Sequence, residues 1–190
     1  MDQLKKKILS DGVGIGTEIV KVDSFLNHQM DVELLNEMGK ELARRYAGRG
    51  INRILTIEAS GIALAAITAM HFDCIPVVFA KKMKPTTMTE DFYAAEVRSF
   101  TKGITSVACV SKRYMHPGDK VLIIDDFLAH GQAGIGLANI VEQAGAEVVG
   151  FGIAIEKAFQ SGGKTLRDAG YQVESLAVIS AITDGVIQFQ

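Results

Sequence analysis

Val121-Leu122-Ile123-Ile124-Asp125-Asp126-Phe127-Leu128-Ala129-His130-Gly131-Gln132-Ala133 is the stretch that decides how this chain folds. Val121, Leu122, Ile123 and Ile124 form an unbroken apolar run, the pattern of a central parallel strand buried on both faces. The strand then ends in two carboxylates, Asp125 and Asp126, delivered to the carboxyl edge of the sheet, where open α/β folds bind their ligands. A small-residue turn at 129–133 follows and opens a helix, so backbone N–H groups and the helix dipole form a cradle for an anion. Two acids one step from that cradle would repel a bare phosphate. Their partners are therefore neutral hydroxyls or a metal that the ligand carries, and a ribose 5-phosphate meets both demands. Two adjacent acids without the glycine turn and the helix would equally suit a solvated strand end.

Outward from this stretch, strand and helix signatures alternate. Leu34, Leu35, Met38, Leu42 and Tyr46 fall at helical spacing behind a cap at Asp31, and Gly48 and Gly50 mark the exit. Residues 53–58 read as a buried strand, 61–70 as an Ala-rich helix and 75–80 as a second strand. Residues 121–125 supply a third strand, 131–144 a helix and 147–156 a further strand. This βαβ repetition predicts an α/β fold: a parallel-sheet core with right-handed crossovers and helices on both faces. Residues 83–103 differ, being rich in Thr, Lys and charge; 84–95 read as a mobile loop and 96–102 as a strand leading back. The predicted organisation is a single domain over 1–190, with a core over 31–156 and a small cap, or hood, from 1–30 and 157–190.

At 190 residues and 48% hydrophobic content, the chain can bury one sizeable core. A net charge of −2 and a pI near 6.1 give no global attraction to nucleic acid, so small-molecule or protein partners are expected. Cys74 and Cys109 lack paired spacing, which argues against a disulfide framework or zinc site and fits a reducing, cytoplasmic setting. Residues 1–8 are charged and carry no apolar signal core, and no apolar stretch is long enough to span a bilayer, so no membrane partnership is expected. Gly12-Val13-Gly14-Ile15-Gly16 is glycine-rich, yet it follows a charged, helix-like start and lacks the Gly-x-Gly-x-x-Gly spacing of a dinucleotide site. No Gly-Lys-Ser/Thr ending or His-Glu-x-x-His sequence is present.

A second turn, Glu58-Ala59-Ser60-Gly61, also leaves a strand and starts a helix. It repeats the anion-binding geometry, although a tight connection at Gly61 and a helix cap at Ser60 account for the same residues. Lys81 and Lys82 fall just beyond the next strand, at the same sheet edge. Lys157 closes the apolar strand Gly152-Ile153-Ala154-Ile155-Glu156, with Phe159 two positions on; a snorkelling strand-end lysine has the same signature.

The 121–133 stretch resembles the phosphoribosyl pyrophosphate (PRPP) motif of type I phosphoribosyltransferases, in which apolar residues, two acids and a small-residue loop follow in this order. The resemblance implies that Asp125 and Asp126 are the catalytic acids that hold the ribose 2′ and 3′ hydroxyls. It likewise implies that Ala129, His130, Gly131, Gln132 and Ala133 bind the 5′-phosphate. Many members carry Thr at the position of His130 and Gly or Thr at that of Gln132, so the carry-over rests on the backbone contacts. Glu58, Ala59, Ser60 and Gly61 resemble the loop that holds pyrophosphate, and Lys81 and Lys82 the basic pair that reaches it.

The string Val20-Lys21-Val22-Asp23-Ser24-Phe25-Leu26-Asn27-His28-Gln29 resembles the base-covering segment of bacterial xanthine phosphoribosyltransferases, whose members often have Leu where Val20 stands. This resemblance spans nearly the whole chain. It implies that Val20, Asn27, Lys157 and Phe159 bind the base, Lys157 donating to a purine carbonyl while Phe159 stacks. A 6-oxo purine accepts that hydrogen bond, whereas a 6-amino purine opposes donor to donor at a cost of about 1–3 kcal/mol. The Asn27 amide can face either way, so the choice of xanthine over guanine rests on the resemblance alone. The implied reaction is purine salvage: PRPP and xanthine give XMP and pyrophosphate, with Mg2+ bound to PRPP rather than fixed by the protein. A homodimer, and closure of loop 83–103 over the site against water, are implied with it. The alternatives are a guanine/hypoxanthine or adenine phosphoribosyltransferase, or a non-catalytic PRPP-sensing regulator. Regulators of that kind bind DNA through an added N-terminal domain that the short first segment does not resemble.

Overall fold

The computed structural model describes residues 1–83, 91–99 and 104–190. The chain opens with α1 (Asp2–Asp11), whose Leu4 and Ile8, one turn apart, are its buried residues. A hairpin of β1 (Val13–Ile15) and β2 (Ile19–Lys21) and a π-helical turn at Asp23–Asn27 lead to α2 (Val32–Arg45). The predicted cap is present: the Asp31 carboxylate accepts the Leu34 amide at 3.1 Å. Leu34, Leu35, Met38 and Leu42 form the buried face, as their spacing requires. There follow β3 (Arg53–Ile57), α3 (Gly61–Met70), β4 (Val77–Met83), β5 (Phe92–Ser99) and β6 (Ile104–Ser111). The chain ends with β7 (Lys120–Leu128), α4 (Gln132–Gln143), β8 (Glu147–Lys157), α5 (Gly162–Asp168), β9 (Val173–Thr183) and β10 (Val186–Phe189).

The main sheet has eight strands in the order β10-β9-β8-β7-β3-β4-β6-β5. Its centre, β9-β8-β7-β3-β4, is parallel; β10 closes one side and the β5–β6 hairpin the other, both antiparallel. Strand alternation explains the unbroken apolar run of β7. Leu122 and Ile124 enter the core shared with α1, α2 and α3, while Val121 and Ile123 enter the core shared with α4 and Leu166 of α5. All four are fully buried, each contributing about 1.5–3 kcal/mol. With helices over both faces, no position on this stretch can be polar. Among the described residues no helix is long and apolar enough to cross a membrane.

Three expectations are corrected. First, β7 does not end at the acidic pair: its ladder to β8 continues through Phe127↔Ile155 and Leu128↔Glu156. Second, β4 runs on to Met83 because β6 supplies an antiparallel partner, pairing Lys81 with Cys109 and Lys82 with Ala108. Lys81 and Lys82 are thus strand residues. Residues 92–95, expected as loop, are paired in β5, and β6 itself went unassigned; of the expected loop 83–103, residues 84–90 and 100–103 lie outside the described residues. Third, residues 157–190 do not simply join 1–30 as a cap. They add β9 and β10 to the main sheet, and the N-terminal segment docks on them: the Met1 ammonium donates to the Leu176 carbonyl, and Lys5 donates to the Gln190 carbonyl at 2.7 Å. The reason is the apolar pattern of 173–183, whose Leu176, Ala177, Ile179 and Ile182 complete the core below α1 and α2.

Candidate active site

Three strand ends converge on one cavity of about 420 Å³. β3 contributes the turn that carries Glu58, Ala59 and Ser60; β4 contributes Lys82; β7 contributes Asp125, Asp126 and Phe127, followed by Ala129, His130, Gly131, Gln132 and Ala133. Of the thirteen acids and PRPP-contact residues expected at this edge, eleven line the cavity and two, Gly61 and Lys81, do not; the geometry explains both exceptions. Gly61 stands behind the turn, where α3 crosses β3 so closely that a Cβ there would lie 2.2 Å from Thr56 Oγ1. Lys81 is not among the lining residues, because neighbouring residues on a strand face opposite ways.

The cradle is built as its sequence suggests. Gly131 is the N-cap of α4 and holds φ +79°, a left-handed backbone that glycine adopts without strain. A side chain there would also meet the Gly162 Cα at 3.0 Å. Opposite, the Glu58 carboxylate accepts the Lys82 amide at 2.7 Å, tying the first turn to β4, and the Glu58–Ala59 peptide is cis.

The acids differ from each other. Asp126 is 7% exposed, and its Oδ2 accepts from Asn27 Nδ2 at 3.3 Å. Asp125 Oδ1 accepts the Asp126 amide at 3.0 Å. Burial, and after it the charge of Asp126, pushes the Asp125 carboxyl well above the ordinary carboxylate range. Hydroxyl donors of a sugar would satisfy both groups. Among the described residues no group of three or more His, Cys, Asp or Glu is placed to hold a metal ion. Two carboxylates of hard oxygen suit Mg2+ that arrives with its own phosphate ligands, the ordinary mode for that ion.

The base-side expectations meet the cavity only at its rim, since Val20, Asn27, Lys157 and Phe159 are absent from its lining. Val20 is 7% exposed and belongs to the core. Asn27 reaches the cavity through Asp126. Lys157 Nζ donates to the Glu18 carbonyl at 2.8 Å, in the link between β1 and β2, and lies 5.5 Å from the centroid of the Phe127 ring. Burial pushes its ammonium below the ordinary lysine range. Phe159 packs against the core beneath the N-terminal elements, and the ring beside Lys157 is that of Phe127. Phe127 was missed because the strand was expected to end at the acids; the extension of β7 past them is what brings it into the cavity.

A phosphoribosyl transferase domain model matches residues 21–183. The chain is 56% identical over 189 residues to the xanthine phosphoribosyltransferase of Ruminiclostridium cellulolyticum, covering 100% of this chain and 99% of that one. It is 54% identical to xanthine phosphoribosyltransferase 2 of Clostridium botulinum, over the full length of both. Among solved structures, an adenine phosphoribosyltransferase from Thermoanaerobacter pseudethanolicus is 28% identical with a TM-score of 0.67, covering 78% of this chain and 81% of that one. Another, from Rhodothermus marinus, has a TM-score of 0.76 at 24% identity over 94% and 100% of the two chains, a likeness of fold.

Proposed function

This chain belongs to the phosphoribosyl transferase domain family, and from that premise we propose that it transfers the 5-phosphoribosyl group of PRPP to xanthine, giving XMP and pyrophosphate in purine salvage. The observation that carries the reading is a single cavity holding the acidic pair, the 129–133 cradle and the 58–60 turn, with Asn27 and Lys157 at its rim.

In this reading the cradle amides take the 5′-phosphate, supplemented by the positive end of α4. Asp125 and Asp126 accept from the 2′ and 3′ hydroxyls and so fix the ribose ring for attack at C1. The 58–60 turn and Lys82 stand where the departing pyrophosphate collects its charge. Positioning and electrostatics do the work, because the bond to pyrophosphate breaks with positive charge developing on the sugar. Asp125 and Asp126 are the carboxylates that would meet Mg2+ carried by PRPP, which would supply positive charge to the leaving group. Lys157 donates to the 6-oxo group, Asn27 reads a second polar edge of the base, and Phe127 supplies the stacking face. The enzyme works as a homodimer in the cytoplasm, a setting that the thiols of Cys74 and Cys109 suit.

An adenine phosphoribosyltransferase is the second reading, favoured by the fold neighbours and opposed by Lys157, whose ammonium faces the wrong group on a 6-amino purine. A pyrophosphate-release assay with PRPP and Mg2+ across xanthine, guanine, hypoxanthine and adenine tests all of this. Xanthine is expected to give the highest kcat/KM. Preference for adenine overturns the base assignment, and PRPP binding without turnover on any base points to a sensor instead.

A further inference from the structure

The cradle leans on a neighbouring helix, α5. The Gly162 amide, at the start of α5, donates to the Ala129 carbonyl at 2.9 Å. The approach is so close that a Cβ on Gly162 would lie 2.5 Å from that oxygen and 2.7 Å from the Gly131 nitrogen. Holding the Ala129 carbonyl turns the next N–H, that of His130, the opposite way, because the peptide unit is planar. α5 therefore sets the direction of a cradle amide.

α5 is in turn fixed by one buried charge. Glu156, 3% exposed, sits on β8 opposite Leu128, the last rung of β7 before the cradle begins. Arg167 of α5 grips it with both guanidinium nitrogens, at 2.7 and 2.8 Å, and the Ser175 hydroxyl donates to it as well. Burial pushes the Glu156 carboxyl up, but Arg167 and Ser175 outweigh it and hold it below the ordinary range, so it stays charged. Room for the carboxylate exists because residue 163 is glycine; a Cβ there would lie 1.9 Å from Glu156 Oε1. Leu166, fully buried behind α4, completes the seat.

We propose that the Glu156–Arg167 pair, acting through Gly162, is a positioning device for the 5′-phosphate cradle. The inference rests on the PRPP reading of that cradle. Arg167→Ala is expected to raise KM for PRPP on the order of tenfold and to weaken ribose 5-phosphate binding in calorimetry, leaving KM for xanthine within about twofold. Arg167→Lys, which keeps the charge but not the fork, recovers part of the loss. Gly162→Ala, which pushes directly on the cradle, is expected to cost on the order of 100-fold in kcat/KM for PRPP. If Arg167→Ala does not fold, Gly162→Ala decides by the same measurements. A folded Arg167→Ala, or Gly162→Ala, that melts lower while PRPP KM and ribose 5-phosphate affinity stay at wild-type values overturns the proposal and leaves a purely structural pair. Wild-type protein that binds no PRPP overturns the functional reading as well, so the two failures are told apart.

Discussion

At the end of the cavity proposed for the phosphate, one continuous segment from Asp125 to Gly134 supplies the acids, the cradle and the helix start, and much of its chemistry is backbone. At the end proposed for the base, three distant segments meet through side chains: Asn27 on Asp126, and Lys157 between the Glu18 carbonyl and the Phe127 ring. The first arrangement survives changes of side chain so long as φ angles and close approaches are kept. The second depends on which residues happen to be there. That difference suits a family in which the sugar phosphate is constant and the base varies, and it says where mutations will change binding of one substrate and where of both.

Asp126 is common to both ends, so replacing it should erase the distinction. Asp126→Asn is expected to lower kcat/KM for PRPP on the order of 1000-fold, as loss of a charged group fixed on the reacting sugar does, and to raise KM for xanthine because Asn27 exchanges a charged acceptor for a weaker neutral one. Steady-state pyrophosphate release with each substrate varied in turn checks it. An effect confined to PRPP would mean that the ends are uncoupled despite the Asn27 contact.

Gly131→Ala should instead sharpen the contrast. Alanine at φ +79° costs about 1–2 kcal/mol, and its Cβ presses on Gly162 Cα. The expected result is a PRPP KM raised on the order of 10–100-fold with xanthine KM near the wild-type value. An equal rise in both constants would show that the cradle and the base site move as one body.

The same contrast accounts for what could be read in advance. The cradle was legible because it is local: an apolar run, two acids and a glycine turn force strand, edge and helix start whatever surrounds them. So was α2, whose cap at Asp31 and buried face follow from spacing alone. The extent of β4 was not, because residues 81–83 are in a strand only by virtue of pairing with β6. That pairing also decides that Lys82 lines the cavity and Lys81 does not. At the base end, Asn27 and Lys157 were named by resemblance to a family rather than by any pattern a chain must follow. Phe159 was named in the same way, since nothing in its spacing distinguishes it from a core phenylalanine, whereas Phe127 is carried by the continuation of β7 past the acids, which local sequence does not announce.

Lys157→Ala addresses the base end by itself. Losing a charged donor to the 6-oxo group is expected to cost about 1.5–3 kcal/mol, hence on the order of 10–100-fold in kcat/KM for xanthine, with PRPP KM little changed. The ratio of xanthine to adenine turnover should fall in step, because the mismatched donor is gone. Unchanged discrimination would remove Lys157 from base recognition and leave it as a latch on the Glu18 carbonyl.

The smallest effect should appear in stability rather than turnover, and it again separates the two acids. Burial, then the neighbouring charge of Asp126, raises the Asp125 carboxyl well above the ordinary 3.8. Between that ordinary value and the raised one, the folded protein binds a proton that the unfolded chain has already lost, so stability falls as pH climbs through this window. Above it the full cost of the charged, buried group is borne by the folded state. Asp125→Asn removes the charge while keeping an oxygen to accept the Asp126 amide. The variant should therefore melt above wild type at pH 7, by about 2–4 °C for each kcal/mol relieved in a chain of this size, and the gap should close as pH approaches 4. Thermal melts across that range, without substrate, check it. A variant that melts lower than wild type at pH 7 would mean that the ionised Asp125 stabilises the empty site, and that both acids are held there by partners in the protein rather than kept in readiness for the sugar.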